Sequence, residues 1–430
     1  MNTRGTVTVA TLLAALPRPA LAQSLHDAVN SGDTAWLLAA AALVLLAALP
    51  GIALLHSGRL RAGNGMSVLF QTLAIVAVVS LIWTVVGYTL AFGDVSGGWI
   101  GAGNAWMLIR LSAVRAGTAI PESAFVLFQL VAATLAPVLM TGAWAERARF
   151  GWVVLFCALW SLMAAAPISH WVMGGGWLAS SVGTLDWSGG LPIFVATGAS
   201  SLVVAVMMGR RLDYPGERDG NGGIPLRLAG SALVWIGGIG LCGGWALAAS
   251  DAAAAAAINA HVAMAASVFT WFAADRLSHG RIGSSGLGSS VLAGLAAVAP
   301  AAGYISPGAA LVLGILGALA ARQGLRLLAR ARIDDTLGIF AIAGLPAMIG
   351  TLLLGLFLSP SFGGTGYARG HTMISQIFAQ AVGLGAVVLW AAVASTIAAL
   401  MASVLFPMRM SEHAERNGLD FSSHGIGPAT

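Results

Sequence analysis

The sequence predicts an all-α membrane protein with eleven transmembrane helices, on three observations. Of its 430 residues, 58% are hydrophobic and only 9% charged, and the mean hydropathy is +0.86, values that a soluble chain of this length does not reach. The apolar residues fall into continuous runs of membrane length, without the period-two alternation of a transmembrane barrel. The arginines, finally, sit in alternate loops.

The first residues are set aside before the spans are counted. Arg4, the apolar run from Val7 to Leu16 and Ala20-Leu21-Ala22 ahead of Gln23 have the layout of a cleaved bacterial signal peptide over 1–22. The alternative is an uncleaved anchor, for which about ten apolar residues are too few to span. Eleven runs then approach the ~20 residues that a ~30 Å hydrocarbon core requires: 34–56, 66–92, 122–145, 150–168, 187–209, 227–249, 252–274, 283–301, 303–322, 337–358 and 373–406. The last is long enough to tilt or to leave the membrane. The 56 glycines suit close helix packing. The domain reading is a transmembrane unit over 23–406 and a cytoplasmic tail over 407–430.

There is no lysine, and sixteen arginines lie in alternate loops or in the tail, among them Arg59, Arg61, Arg147, Arg218 and Arg409. The opposite loops hold Arg110, Arg115 and Arg369. The positive-inside rule then places the mature N-terminus outside and the C-terminus inside a bacterial inner membrane. The net charge of +5 reports that topology and requires no nucleic-acid partner.

Little chemistry is left. Cys157 and Cys242 lie within spans and have no metal-ligand spacing. GSSGLGSS at 283–290 lacks the Lys-Ser/Thr ending of a phosphate loop, and no Ser, His and carboxylate set has the context of a hydrolase, so an enzyme is not expected. Asp186 is different, because it opens DWSGGLPIFVATG, a span that starts with a carboxylate, two glycines and a proline. Such a group marks an ion path or caps its own helix through backbone N–H bonds, and Pro192 keeps the first turn irregular. A weakly matching interruption, DDTLGIFAIAG, begins at Asp334. The two fit an inverted five-plus-five repeat, with the eleventh helix added at the end.

Several stretches carry a family resemblance: DTAWLLAAAALVLLAALPGIALLHSGRLR (33–61), WTVVGYTLAFG (83–93), FQLVAATLAPVLMTGAWAERARF (128–150), MGGGWLAS (173–180), DWSGG (186–190) and GLDFSSHG (418–425). In order and spacing the chain resembles the ammonium transporter (Amt/Rh) family over essentially its whole mature length. The resemblance implies eleven helices, an inverted repeat, a homotrimer, a narrow pore in each subunit, ammonium or ammonia as substrate and no cofactor. It also implies a tail that packs across neighbouring subunits and is open to a PII-type signalling protein.

The pore positions depart from that pattern. By register, the two pore histidines of the family fall at Phe194 and Ala343, and the third acidic residue before the second of them falls at Gly338. In the outer vestibule the cage tryptophan falls at Met173, the second aromatic at Leu241 and the serine at Trp245, while Phe128 keeps a phenylalanine gate position. Trp171 or Trp245 could rebuild a cage, and Trp245 could equally plug the vestibule. An ammonium ion must shed water to enter an apolar pore, and without imidazoles it finds no polar partner there. The expectation is therefore an ammonium-transporter-like channel that conducts ammonium poorly or not at all. The alternatives are a non-conducting sensor or scaffold, or a channel for another small neutral solute. His261 is either a displaced relay or a hydrogen-bonded core residue.

Overall fold

The structure, a computed structural model, describes residues 29–103, 106–109, 111, 113–216 and 223–427. The signal-peptide reading over 1–22 and the positions of Arg110 and Arg218 lie outside the described residues.

Among the described residues, ten helices are long and apolar enough to cross a membrane: α1 Ser31–Ser57, α2 Gly65–Phe92, α3 Glu122–Trp144, α4 Phe150–Val172, α5 Gly190–Met208, α6 Ile224–Gly244, α7 Asp251–His279, α9 Pro307–Arg330, α10 Phe340–Phe357 and α11 Met373–Leu405. Between α7 and α9 lies α8, Ser289–Val298, a helix of only 10 residues. The expected span at 283–301 is thus shorter as helix than its hydropathy suggests. All residues of α8 are buried, so every face is apolar and the turns after it look no different in composition. A small hairpin, β1 Asp94–Ser96 paired antiparallel with β2 Ile100–Ala102, follows α2.

Burial sorts the helices into layers. In α3 and α5, 83% and 78% of the apolar window is inside the protein, against 33% for α2 and α11. The central layer therefore contains α3, α5 and α8, while α11 runs along one side. Trp160 on α4 ties that side together: its indole N–H lies 2.9 Å from Ser200 Oγ on α5 and 3.1 Å from Ser395 Oγ on α11. Gln380 of α11 accepts from Leu185 N at 2.7 Å and donates to Leu185 O at 2.8 Å, which fixes α11 to the entry of α5. Inside a low-dielectric layer such paired side chains satisfy groups that lipid could not.

The inverted repeat is written in backbone detail. Asp186 accepts from Gly189 N (3.0 Å), Gly190 N (2.8 Å) and Leu191 N (2.6 Å). Asp335 accepts from Phe340 N at 2.7 Å, the same five-residue reach. Gly189 and Gly338 occupy matching left-handed turns, with φ of +86° and +74°, conformations that favour glycine. Each turn leads into a π-helical segment, Gly190–Val195 and Phe340–Gly344. Gly338 is accordingly more than a lost carboxylate: it is the turn residue equivalent to Gly189. The broken helices meet at their glycines, since a methyl on Gly344 would lie 2.8 Å from the Gly198 Cα.

The arginine-bearing loops gather at one end. Arg211 binds Glu146 and Asp334, each at 2.8 Å; Arg61 pairs with Asp213; Arg147 bonds Thr336 and the Asp334 carbonyl. Burial pushes the Asp334 pKa up, but Arg147 and Arg211 outweigh it and hold the carboxyl below the usual range. The tail joins this end through α12, Glu412–Asn417, and α13, Leu419–His424. Glu415 accepts from Leu212 N at 2.8 Å, and Asp420 caps α2 by accepting from Ser67 N at 2.6 Å and Met66 N at 3.2 Å. The tail motif thus packs back on the helices of its own chain.

Candidate functional site: an axial path with an apolar centre

Two small cavities adjoin along α3 and α5. The distal one, at the end away from the arginine cluster, is bordered by Trp83, Gln129, Ser169, Met173 and Trp245, with alanines of α3 and α4 and with Pro192 and Ile193 of α5. The central one is bordered by Ile52, Leu139, Phe194, Leu241, Leu292 and Leu295 together with further aliphatic residues and glycines. On α3 the sequence produces both walls through helical spacing: Ala132 and Ala136 face the distal cavity, Leu135 and Leu139 the central one. Consecutive residues Ile193 and Phe194 divide between them.

Their sizes decide what fits. The distal cavity has about 20 Å³ of space open to water and the central one about 10 Å³. One water needs ~10–15 Å³ on that measure and two to four polar partners. The distal cavity meets the size requirement; the central one is at its lower limit and presents no side-chain hydrogen-bonding group.

The residues singled out from the sequence separate into groups. Met173 and Trp245 border the distal cavity, and Phe194 and Leu241 the central one. Phe128 is fully buried, stands edge-on to Trp245 with ring centroids 5.8 Å apart, and borders neither cavity. It supports the Trp245 indole from behind, while Ala132, one turn further along α3, faces the cavity. Ala343 is fully buried beside Gly344, at the crossing of α5 and α10, and borders neither cavity. Trp171 is turned away by a 2.7 Å bond to the Trp99 carbonyl.

His261 is exposed on α7, accepts the Trp235 indole N–H at 3.1 Å and borders an open groove with Phe269, Leu311 and Ile315. That outward position takes it off the path and removes the geometric basis for a displaced relay. Its neighbour Asn259 is the buried one, donating to Ala302 O and Ile305 O at 2.7 Å each. His170 is likewise fully buried, with Nδ1 3.1 Å from Ala91 O.

Sequence reasoning passed over Trp83 and Gln129. Both are buried, both border the distal cavity, and the Trp83 indole and Gln129 amide nitrogens have no acceptor in the protein. The available signal was a glutamine inside an otherwise apolar span, which points to a cavity or a polar partner. The walls therefore combine two aromatic surfaces, which attract a cation, with N–H groups, which attract an acceptor.

A polytopic helical bundle with two broken helices crossing beside an axial line of cavities defines a membrane transport protein. Comparison with known proteins gives the family: residues 35–427 match the Ammonium Transporter Family, and the chain belongs to it. It is 35% identical to a putative ammonium transporter of Methanothermobacter thermautotrophicus, across 92% of this chain and 98% of that protein. To the ammonium transporter of Bacillus subtilis it is 33% identical, again across 92% and 98%. Among solved structures, one described as a sensor Amt protein aligns with TM-score 0.85 at 25% identity, covering 91% of this chain and 98% of that one. Saccharomyces cerevisiae Mep2 aligns with TM-score 0.82 at 27% identity, covering 90% and 89%. The family is one of transporters, not enzymes.

Proposed function

We propose that this chain is an ammonium-transporter-family channel whose axial path has lost the polar support a dehydrated cation needs, so that ammonium conduction is absent or far below that of a histidine-containing relative. One observation carries the reading: the central cavity is enclosed by Phe194, Leu241 and other apolar residues, where a bare ammonium ion faces an uncompensated desolvation cost of several kcal/mol. Trp245 narrows the approach to it from the distal side. Asp186 serves as the cap that holds the first turn of α5 open beside the path.

A second reading, a non-conducting sensor or scaffold, draws support from the same apolar centre and from the likeness to a structure described as a sensor. A channel for another small neutral solute is the third, since such a solute would not bear the charge penalty. The protein is placed in a bacterial inner membrane with the mature N-terminus outside and the C-terminus inside, as a homotrimer whose tail is open to a PII-type protein.

Restoring the imidazoles tests the pore reading. Phe194→His with Ala343→His, reconstituted in liposomes on a solid-supported membrane, is expected to gain an ammonium current over the parent chain. A parent current already equal to that of a histidine-containing relative would refute the reading.

A further inference from the structure

His56 sits one helical turn beyond Ile52 on α1, so the two side chains share a face. Ile52 borders the central cavity, which puts His56 next in line towards the arginine-bearing end. The imidazole is fully buried. On α3 the matching step runs from Leu139, at the cavity, to Thr141 and Gly142, and Ile339 of the α10 approach closes the third side: a methyl on Gly142 would lie 2.6 Å from Ile339 Cδ1 and 3.2 Å from His56 Cε1.

The hydrogen bonds favour one tautomer. Thr141 Oγ1 donates its single proton to the Val138 carbonyl at 2.7 Å. With that proton on the carbonyl, the hydroxyl accepts from His56 Nδ1, 2.9 Å away, an arrangement that puts the imidazole proton on Nδ1. Nε2 is then a lone pair, and no protein group donates to it. The chain from Nδ1–H through the Thr141 hydroxyl ends on a carbonyl, which has no proton to pass on. His56 can hold a donor at Nε2 but cannot relay a proton through Nδ1.

We propose that His56 Nε2 is a binding point for a small N–H donor solute, ammonia or ammonium, at the arginine-bearing end of the axial path. The inference rests on the reading of that path given above, because Ile52 and Leu139 join the two. It adds one fixed acceptor beyond the apolar centre. It does not restore the pair missing at Phe194 and Ala343, and one acceptor without a relay agrees with weak conduction.

The test reads binding and leaves current aside. The chain holds eight histidines, so protein labelled with ¹⁵N at histidine alone and placed in lipid bilayers gives a countable set of imidazole signals by solid-state NMR. His56→Gln assigns the His56 pair; should that variant fail to fold, Thr141→Val assigns it as the imidazole whose tautomer changes. The expected result is protonated Nδ1, unprotonated Nε2, and a saturable shift of Nε2 with ammonium chloride that potassium chloride at equal ionic strength and pH does not produce. Thr141→Val is expected to mix the two tautomers. A protonated Nε2 in the parent protein overturns the proposal. So does an Nε2 signal unmoved by ammonium, which would mean a site for water alone, or one moved equally by potassium. Because no current is measured, failure here leaves the conduction reading to its own test, and a robust parent current leaves this result standing.

Discussion

Replacing Asp186 with alanine removes one carboxylate and three hydrogen bonds together, those to Gly189 N, Gly190 N and Leu191 N at 3.0, 2.8 and 2.6 Å. Each buried donor left without a partner costs about 1–3 kcal/mol, and a lost helix cap about 0.5–2 kcal/mol. The three share one acceptor and relax together, so the expected loss is about 3–5 kcal/mol, below the simple total. Asp335→Ala is the internal control. Its side chain has the same place in the second repeat, but its Oδ1 has no partner and Phe340 N is the clear donor to Oδ2, which predicts about 1–3 kcal/mol. Thermal-shift fluorimetry on the two variants in one detergent should place the unfolding midpoint of Asp186→Ala below that of Asp335→Ala, with both below the parent. Asp186→Asn, which keeps one acceptor oxygen, should fall between Asp186→Ala and the parent. An unchanged midpoint for Asp186→Ala would refute the assignment of this aspartate as the cap of α5.

Three more outcomes are expected. Gly344→Ala sets a methyl 2.8 Å from the Gly198 Cα, a backbone contact that no rotamer relieves, and should destabilise by about 1–3 kcal/mol; a stability equal to the parent would show that α5 and α10 do not cross there. Asp334, held below its unfolded pKa of about 3.9 by Arg147 and Arg211 against the effect of burial, contributes stability that is complete above that value and fades as pH falls through the folded one. Asp334→Asn should therefore lower the midpoint at pH 7 and flatten its acid dependence, and an unaltered acid limb would count against the pairing. In a cysteine-free background, Thr365→Cys should react with an impermeant maleimide from outside intact cells and His413→Cys should not; the reverse pattern would invert the proposed orientation, and a monomer in native mass spectrometry would remove the trimer.

The legible parts of the fold were those with a local cause. Apolar runs gave the long spans, and Asp186 with its two glycines announced a capped, broken helix. What stayed hidden depended on contacts distant in sequence. α8 could not be bounded because complete burial makes helix and turn equally apolar. The face of His261 could not be chosen because α7 is rich in alanine and has no clear polar side. Gly338 looked like a lost acidic residue until its left-handed turn matched that of Gly189. The shielding of Phe128 by Trp245, and the 85-residue separation that brings His56 to Thr141, follow from helix packing that no single segment encodes.

The most direct test of the central claim is the ammonium-induced current of the purified parent protein on a solid-supported membrane, beside a histidine-containing relative at equal protein density. The apolar centre around Phe194 and Leu241 predicts a current at least tenfold smaller than the relative's, a ratio that needs only about 1.4 kcal/mol of extra barrier. A saturable current of the relative's size would contradict the account.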